Sequence, residues 1–401
     1  MTSPVDTTVK YFDSTMPNAP TLSGTAGSLI ALLDACLKDG FNTITLTSLV
    51  VSGGVATATW SGTHAALKDC VVQIAGVTGA LTALNGEQKV TGKTGTSLTF
   101  ATAAADGTAA GTITMKMAPM GWAKPFSGTN LAAYQSNDVT STKMYLRVDD
   151  SGTTVARVVG YETMSDVNTG SGAFPTAAQI AGGGYWGKSA NANSTAVPWA
   201  LIGDGKRFYL CVQVAYSSNV AFQAGVTRMF GDIIPYKTGG DAFACALNYS
   251  ATATASSTSD GDVASNGAAL TAFPRDYTGV GSSVLQSLNV LSQLGTNAIY
   301  SGITGTVAGV FPSPVDGSLI LCPKVIAISV GQALRGQLPG VYHALQSSTW
   351  ATFKQGDRTP GSGTLAGRTL VALNSTSAGS MAIASVVGNT GNLFFDTTGP
   401  W

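Results

Sequence analysis

Beyond its first 40 residues, the chain consists almost entirely of short apolar runs separated by Gly, Thr, Ser, Ala and Asn, a pattern that strongly restricts the fold. Residues 143–148, 155–161 and 207–215 alternate apolar and polar side chains, as half-buried strands do. The dipeptide Gly53–Gly54 between two such runs is a strong hairpin signal. We therefore predict a mainly β, multidomain protein built from antiparallel sandwich-like or barrel-like units.

The amino-terminal residues follow a different pattern. Residues 1–22 contain three prolines, which favour extended backbone, and such an arm lies along its own sheet or across a neighbouring subunit. Apolar residues then recur at helical spacing over residues 29–37, and Gly40 suits a helix end. Ser23 or Thr25 is the expected N-cap. The sequence predicts an extended arm followed by one short helix.

The order of these segments suggests four regions. Residues 1–44 form the arm and helix as part of the main body, and residues 45–117 form a small inserted β-sandwich or barrel with short strands at regular spacing. A main β domain spans residues 118–275, and a carboxyl-terminal β domain spans residues 276–401. We interpret the second region as an insertion because it follows the helix abruptly and ends at a proline.

The charge balance indicates assembly rather than binding to nucleic acid. Charged residues make up 10% of the 401 residues and the formal net charge is zero, whereas typical soluble domains contain roughly 25% charged residues. A neutral chain has no electrostatic attraction for nucleic acid or an anionic membrane. The amino terminus lacks a signal-peptide pattern and no apolar run approaches the ~20 residues that span a bilayer. We expect assembly in a host cytoplasm without membrane insertion.

The residues that usually carry chemistry are sparse. His64 and His343 are the only histidines and lie far apart in sequence, so a His-rich metal site is excluded and neither a Ser–His–Asp pattern nor a GxSxG motif is present. We predict no catalytic, cofactor-binding or metal-binding residues and no enzymatic activity. The cysteines are scattered without a CxxC motif, which favours buried free thiols. They are Cys36, Cys70, Cys211, Cys245 and Cys322.

Two acidic pairs and two glycine-rich segments have simpler explanations. Asp149 and Asp150 are expected in a hairpin turn, and Asp260 and Asp262 in a solvated loop. Residues 86–94 and 182–187 resemble nucleotide-binding loops in composition, but neither precedes a helix that would hold phosphate. We predict that both glycine-rich segments are turns rather than phosphate-binding loops, with a short strand at residues 88–91 within the first.

Aromatic residues provide two candidate contact surfaces. One group lies beside glycine or proline and could stack on a host glycan, although packing in the core or at a subunit contact is the simpler alternative. Its members are Tyr185, Trp186 and Trp199. The other group lies at the carboxyl terminus and would dock against neighbouring subunits. Its members are Phe394, Phe395, Pro400 and Trp401.

Several longer segments resemble a family of uncharacterised virion structural proteins from tailed bacteriophages. The resemblance is carried by residues 10–41, 145–176, 335–345 and 393–401 and runs along the whole chain. Residues 55–90 are similar to the small β modules found in phage tail and fibre proteins. The family has no agreed activity, so the resemblance implies a structural role in the virion without specifying a position on the particle.

Together these observations predict a multi-copy structural protein of a tailed-phage virion that acts through subunit packing. The tail or baseplate is our expected position. The expected partners are other virion proteins and copies of the chain. Two alternatives remain open: a head decoration, collar or head-fibre protein, and a receptor-binding tail protein that binds host glycans. A polysaccharide depolymerase is disfavoured, because the long β-helix repeats and clustered carboxylates that would indicate one are not visible in the sequence.

Overall fold

The protein is mainly β, as predicted. The computed structural model describes residues 3–214, 225–253, 262–264, 269–290, 308–327, 333–376 and 390–401. Its strands form three larger antiparallel sheets and one two-stranded sheet. None of the helices in these ranges is both long enough and apolar enough to cross a membrane.

The arm and the helix form as predicted, but the helix is capped differently. Strand β1 (Lys10–Asp13) pairs with a later strand of the same chain, so the arm lies along its own sheet. Helix α1 (Ser28–Leu33) continues as a π-helix (Asp34–Asp39) and ends at Gly40, whose φ is +73°. Neither Ser23 nor Thr25 caps α1, because Gly27 occupies the N-cap position. The carboxylate of Asp150, from a distant hairpin, accepts a hydrogen bond from the N–H of Leu29 at the start of the helix.

Residues 41–117 supply all strands of one eight-stranded sheet, which we call the inserted module. Its spatial order is β2-β9-β5-β6-β7-β4-β3-β8. Gly53 and Gly54 both have positive φ, as a tight hairpin requires, which confirms the predicted turn between β3 and β4. The strands are β2 (Phe41–Thr45), β3 (Ser48–Ser52), β4 (Val55–Thr59), β5 (Val71–Ala75), β6 (Gly86–Lys93), β7 (Ser97–Ala101), β8 (Gly107–Thr108) and β9 (Thr114–Met117). A 3₁₀ segment (Gly79–Leu84) precedes β6.

A five-stranded sheet follows the module, in the order β10-β11-β12-β13-β16. Its first four strands are joined by consecutive hairpins. Strands β14 and β15, which lie between β13 and β16 in the sequence, form a separate two-stranded hairpin. The strands are β10 (Trp122–Gly128), β11 (Leu131–Ser136), β12 (Tyr145–Asp149), β13 (Val155–Tyr161), β14 (Thr163–Asp166), β15 (Thr169–Ser171) and β16 (Gly184–Gly187).

The remaining strands join β1 in a 13-stranded sheet. Its order is β1-β17-β18-β19-β21-β22-β23-β24-β25-β28-β27-β26, with β20 also paired to β25. The strands are β17 (Trp199–Gly203), β18 (Arg207–Val212), β19 (Val226–Asp232), β20 (Ile234–Pro235), β21 (Cys245–Asn248), β22 (Thr271–Phe273), β23 (Val284–Val290), β24 (Leu321–Ala327), β25 (Leu334–Ala344), β26 (Arg358–Pro360), β27 (Thr369–Thr376) and β28 (Thr390–Asp396). A one-turn helix α2 (Thr349–Thr352) and a 3₁₀ turn (Gly363–Leu365) lie between β25 and β27.

This large sheet folds over itself into an open sandwich. The rings of Tyr209 on β18 and Phe395 on β28 lie 5.2 Å apart between the two halves. The two edge strands of the sheet, β1 and β26, also lie close to each other: the guanidinium carbon of Arg358 on β26 is 5.6 Å from the ring centroid of Tyr11 on β1. No ladder joins β1 to β26 among the described strands, so these strands do not close into a barrel. Strands β22 and β23 lie on either side of the predicted domain boundary at residues 275–276 and pair with each other in this sheet.

Three local predictions were wrong at least in part. Residues 86–93 form strand β6, which includes the strand predicted at residues 88–91, and residues 184–187 form strand β16, because both segments hydrogen-bond to neighbouring strands; in the second segment Gly182 does lie in a turn. Asp262 is buried rather than solvated and accepts hydrogen bonds from the N–H groups of Thr227 (3.3 Å) and Ala264 (2.9 Å). Its predicted neighbour Asp260 lies outside the described residues. The Asp149–Asp150 hairpin forms as predicted, although Asp150 is fully buried.

Candidate interaction surface

Two of the three aromatic residues predicted to contact glycan belong to the core. Trp186 and Trp199 are buried, and each indole N–H is already used inside the protein. Trp186 donates to the carbonyl oxygen of Asn248 (2.8 Å), and Trp199 donates to that of Pro20 (3.0 Å). The glycan prediction was therefore wrong for these two residues, because neither ring has a face open to a ligand.

Tyr185 is only half-buried, but an arginine covers its ring. The guanidinium carbon of Arg157 lies 3.9 Å from the ring centroid, and the same guanidinium hydrogen-bonds to the tyrosine hydroxyl. Arg157 is held in this position because it also donates to the carbonyl oxygen of Gly183 (2.6 Å). A cation–π contact therefore already occupies one face of this ring.

The predicted carboxyl-terminal contact surface is mostly internal. Phe394 and Phe395 are fully buried because β28 lies between β25 and β27, and they cannot dock a neighbour from this position. Trp401 is partly buried: its ring packs on the Cα of Gly340, and its indole N–H donates to the carbonyl oxygen of Asp396 (2.9 Å). Of the four predicted residues, Pro400 alone is exposed.

A different pair of tyrosines is exposed. Tyr236 and Tyr277 have 46% and 53% of their surface accessible, beside Ile234 at 42%. Ile234 and Tyr236 lie on or next to the two-residue strand β20, which pairs with β25. Tyr277 lies in a turn that is closed by a hydrogen bond from the N–H of Gly279 to the carbonyl oxygen of Asp276 (3.1 Å). We call this group, with the cavity described next, the tyrosine cleft.

The tyrosine cleft contains a cavity of about 360 Å³. Its described lining residues are Tyr236, Lys237, Tyr277, Ala333, Leu334 and Arg335. Lys237 links two walls, because its ammonium donates to the carbonyl oxygen of Tyr277 (2.9 Å). The backbone N–H of Tyr236 donates to the carbonyl oxygen of Arg335 (2.9 Å), which fixes a third segment. One side-chain and one backbone hydrogen bond therefore connect the three segments that line the cavity.

A buried arginine supports the cleft from below. Arg335 pairs with Asp241 (2.9 Å), donates to the carbonyl oxygens of Arg275 (2.9 Å) and Phe243 (3.1 Å), and lies 4.2 Å from the ring centroid of Phe273. Burial lowers the pKa of Arg335, and the charge of Asp241 opposes that shift. The guanidinium of Arg335 is occupied by these partners. Lys237 therefore supplies the accessible positive charge among the described lining residues.

The turn that carries Tyr277 is also anchored. Arg275 forms two hydrogen bonds with the carboxylate of Glu162 (2.7 and 2.9 Å) and donates to the carbonyl oxygen of Gly279 (3.1 Å). Its guanidinium carbon lies 5.0 Å from the ring centroid of Phe243. The exposed tyrosine is thus presented on a braced turn, which reduces the entropy lost when the ring is covered.

Many of the few charged side chains point inward. In the described ranges, thirteen Lys, Arg, Asp and Glu residues are buried, which leaves the surface even less charged than the composition suggests. They are Lys10, Lys89, Asp150, Lys188, Asp204, Arg207, Arg228, Asp232, Asp241, Asp262, Lys324, Arg335 and Asp396. By contrast, large apolar side chains such as Val139, Val280 and Val315 are 73–90% exposed.

The histidines and cysteines are mostly internal. Burial, with the nearby charge of Lys93, lowers the pKa of His64 to about 4, and burial together with Lys324 lowers the pKa of His343 well below its ordinary value. The five cysteines are thiols rather than disulfide partners, as predicted, and Cys322 differs from the others in being only half-buried. Within the described ranges, no three His, Cys, Asp or Glu side chains converge as a metal ion would require.

The tyrosine cleft was missed from the sequence because nothing local marks it. Tyr236 and Tyr277 are separated by 41 positions, and each lies in an ordinary turn-like context. The pairing of β20 with β25 places Tyr236 beside Arg335, whose guanidinium donates to the carbonyl oxygen of Arg275 in the segment that carries Tyr277. Such long-range contacts are not encoded in short motifs. Neither a protein-family model nor a curated protein sequence matches the chain.

Proposed function

We propose that the chain is a structural protein of a tailed-phage virion, present in several copies and acting through subunit packing. The tail or baseplate is the position we favour. This proposal rests first on the resemblance of residues 10–41, 145–176, 335–345 and 393–401 to virion structural proteins of tailed phages. It is an architectural role that requires no reaction at a site.

The observation that carries the proposal is that these separated segments contact each other in two pairs. Asp150 of the second segment accepts hydrogen bonds from the N–H groups of Leu29 and Ile30 in the first (2.7 and 3.1 Å). Gly340 of the third segment lies against the ring of Trp401 in the fourth. The resemblance therefore includes residues that take part in long-range packing of the chain, which supports an architectural role.

The surface chemistry supports the same role. Thirteen charged side chains are buried, while several valines and the tyrosine cleft are exposed, so the surface favours coverage by protein neighbours. A stable contact of this kind buries roughly 1,000 Å² or more in total. Copies related by closed symmetry would each present the same surfaces.

The proposal is tested by quantitative mass spectrometry on purified particles of the phage that carries the gene, with heads and tails separated beforehand. We expect the chain in the tail fraction at low copy number. Its absence from particles would reject the virion role. Enrichment with heads would keep the virion role but assign the chain to a decoration, collar or head-fibre position.

A further inference from the structure

We propose that the tyrosine cleft is a binding site for a short saccharide. This inference goes beyond the structural role, since a packing protein needs no ligand site. It replaces the predicted glycan surface at Tyr185, Trp186 and Trp199, where both indole rings are buried and an arginine covers one face of the Tyr185 ring. The cleft instead presents Tyr236 and Tyr277 with about half of each side chain accessible.

The size and lining of the cavity fit a small amphipathic ligand. Its volume of about 360 Å³ lies at the lower end of the ~300–1,000 Å³ range of small-molecule sites. Leu334 and the two tyrosine rings provide apolar contact, while the phenol hydroxyls and the Lys237 ammonium provide hydrogen bonds. A pyranose ring has the complementary division: its C–H faces stack on aromatic rings and its hydroxyl edge accepts and donates hydrogen bonds.

The charges around the cleft disfavour a phosphate-rich ligand. Strong phosphate sites combine several cations or backbone N–H groups in one place. Here the guanidinium of Arg335 is buried and paired with Asp241, so Lys237 is left as the accessible cation of the described lining. One ammonium is sufficient to orient a sugar hydroxyl or a single carboxylate, but it does not match the charge of a nucleotide or polyphosphate.

The cleft is also held in shape before any ligand arrives. Lys237 connects to the Tyr277 turn (2.9 Å), and Arg275 anchors the same turn to Glu162 (2.7 Å). Tyrosine loses little side-chain entropy on binding because it has two side-chain torsions. A site built in this way gains affinity from preorganisation although its contact area is small.

The test uses the full chain on an array of defined oligosaccharides that includes bacterial O-antigen and capsule fragments. The strongest binder is then titrated by calorimetry against the wild type and the Tyr277→Ala and Tyr236→Ala variants. We expect each variant to bind about tenfold more weakly, which corresponds to ~1.4 kcal/mol. Both tyrosines are substantially exposed, so the variants should keep the wild-type thermal midpoint.

Tyr185→Ala is the matched control, since it removes a tyrosine from the surface predicted by sequence but not from the cleft. Saccharide binding that depends on Tyr185 and not on Tyr277 would overturn the inference, as would the absence of any bound saccharide on the array. Concentration-dependent self-association abolished by Tyr277→Ala, without saccharide binding, would assign the cleft to a second copy and also overturn it. None of these outcomes bears on whether the chain is found in virions.

Discussion

The carboxylate of Asp150 joins the buried ammonium of Lys188 to the start of helix α1. One carboxylate oxygen accepts hydrogen bonds from the N–H groups of Leu29 and Ile30, and the other contacts the Lys188 ammonium. The ammonium also donates to two backbone carbonyl oxygens, at 2.7 and 2.8 Å. Both side chains are fully buried. The pair therefore attaches the arm and its helix to the β12–β13 hairpin.

Substitution Asp150→Asn should strongly destabilise the protein, by ~3–5 kcal/mol, because it leaves Lys188 as an uncompensated buried charge. The free energy of unfolding in urea measures this effect. Asp149→Asn is the control, since Asp149 is half-exposed and its contact with Arg147 is long (3.9 Å); its expected cost is below ~1 kcal/mol. Equal effects of the two substitutions would contradict the importance of the buried pair.

His64 should make the protein sensitive to acid. Its Nδ1 atom accepts a hydrogen bond from the N–H of Ala66 (3.0 Å), which requires that nitrogen to be unprotonated. Burial is the main cause that lowers its pKa to about 4, and Lys93 contributes. Because the folded pKa lies below the unfolded value of about 6.5, the stabilisation is complete above pH 6.5 and decreases as the pH falls towards 4.

The expected loss from His64 over this pH interval is ~3 kcal/mol. Unfolding free energies measured between pH 7 and 4 should therefore fall more steeply for the wild type than for His64→Asn, which retains an acceptor for Ala66 but does not titrate. His343 is present in both proteins, so its own titration cancels in the comparison. Parallel pH profiles would show that His64 is not responsible for the acid sensitivity.

The fold class could be predicted from the sequence because it depends on local signals. The period-two alternation at residues 145–149 and 155–161 and the Gly53–Gly54 turn each specify a strand or hairpin without distant residues. The apolar spacing before Gly40 likewise specified the helix. These features required no knowledge of how the sheets are ordered.

The site could not be predicted, because exposure depends on pairing between distant strands. Trp186 and Tyr236 both follow glycine or proline closely in sequence. Trp186 is nevertheless packed into the core by the five-stranded sheet, whereas Tyr236 is exposed because it follows the edge strand β20. The same limit explains the continuous sheet across residues 275–276 and the burial of Phe394 in a central strand. Strand order decided each of these cases.

Arg358 should fasten the inserted module to the large sheet. Its guanidinium hydrogen-bonds to the carbonyl oxygen of Lys68 and to the carboxylate of Asp69 (3.2 Å). We expect Arg358→Ala to cost ~1 kcal/mol, because both partners are partly solvated. Arg147→Ala is a control within another sheet. Limited proteolysis at residues 60–70 should become faster in Arg358→Ala and stay unchanged in Arg147→Ala. If cleavage is unchanged in Arg358→Ala as well, other contacts, such as Lys10 with Glu87 (2.9 Å), hold the module.

The contact between Gly340 and Trp401 should be intolerant of even one added methyl group. A Cβ at position 340 would overlap the indole ring, and the φ of +68° adds backbone strain. We expect Gly340→Ala to destabilise the protein by ~2–4 kcal/mol, which sums about 1 kcal/mol of strain with 1–3 kcal/mol of overpacking. The free energy of unfolding in urea again provides the measurement.

Gly317→Ala separates these two contributions, because Gly317 has a similar φ of +75° but no atom within 4 Å of the position that a Cβ would take. Its expected cost is ~1 kcal/mol. The double variant Gly340→Ala with Trp401→Ala should recover the overpacking part, since the indole that obstructs the methyl group is gone. If Gly340→Ala and Gly317→Ala cost the same, the indole does not press on Gly340, and the carboxyl terminus is available as the docking segment predicted from the sequence.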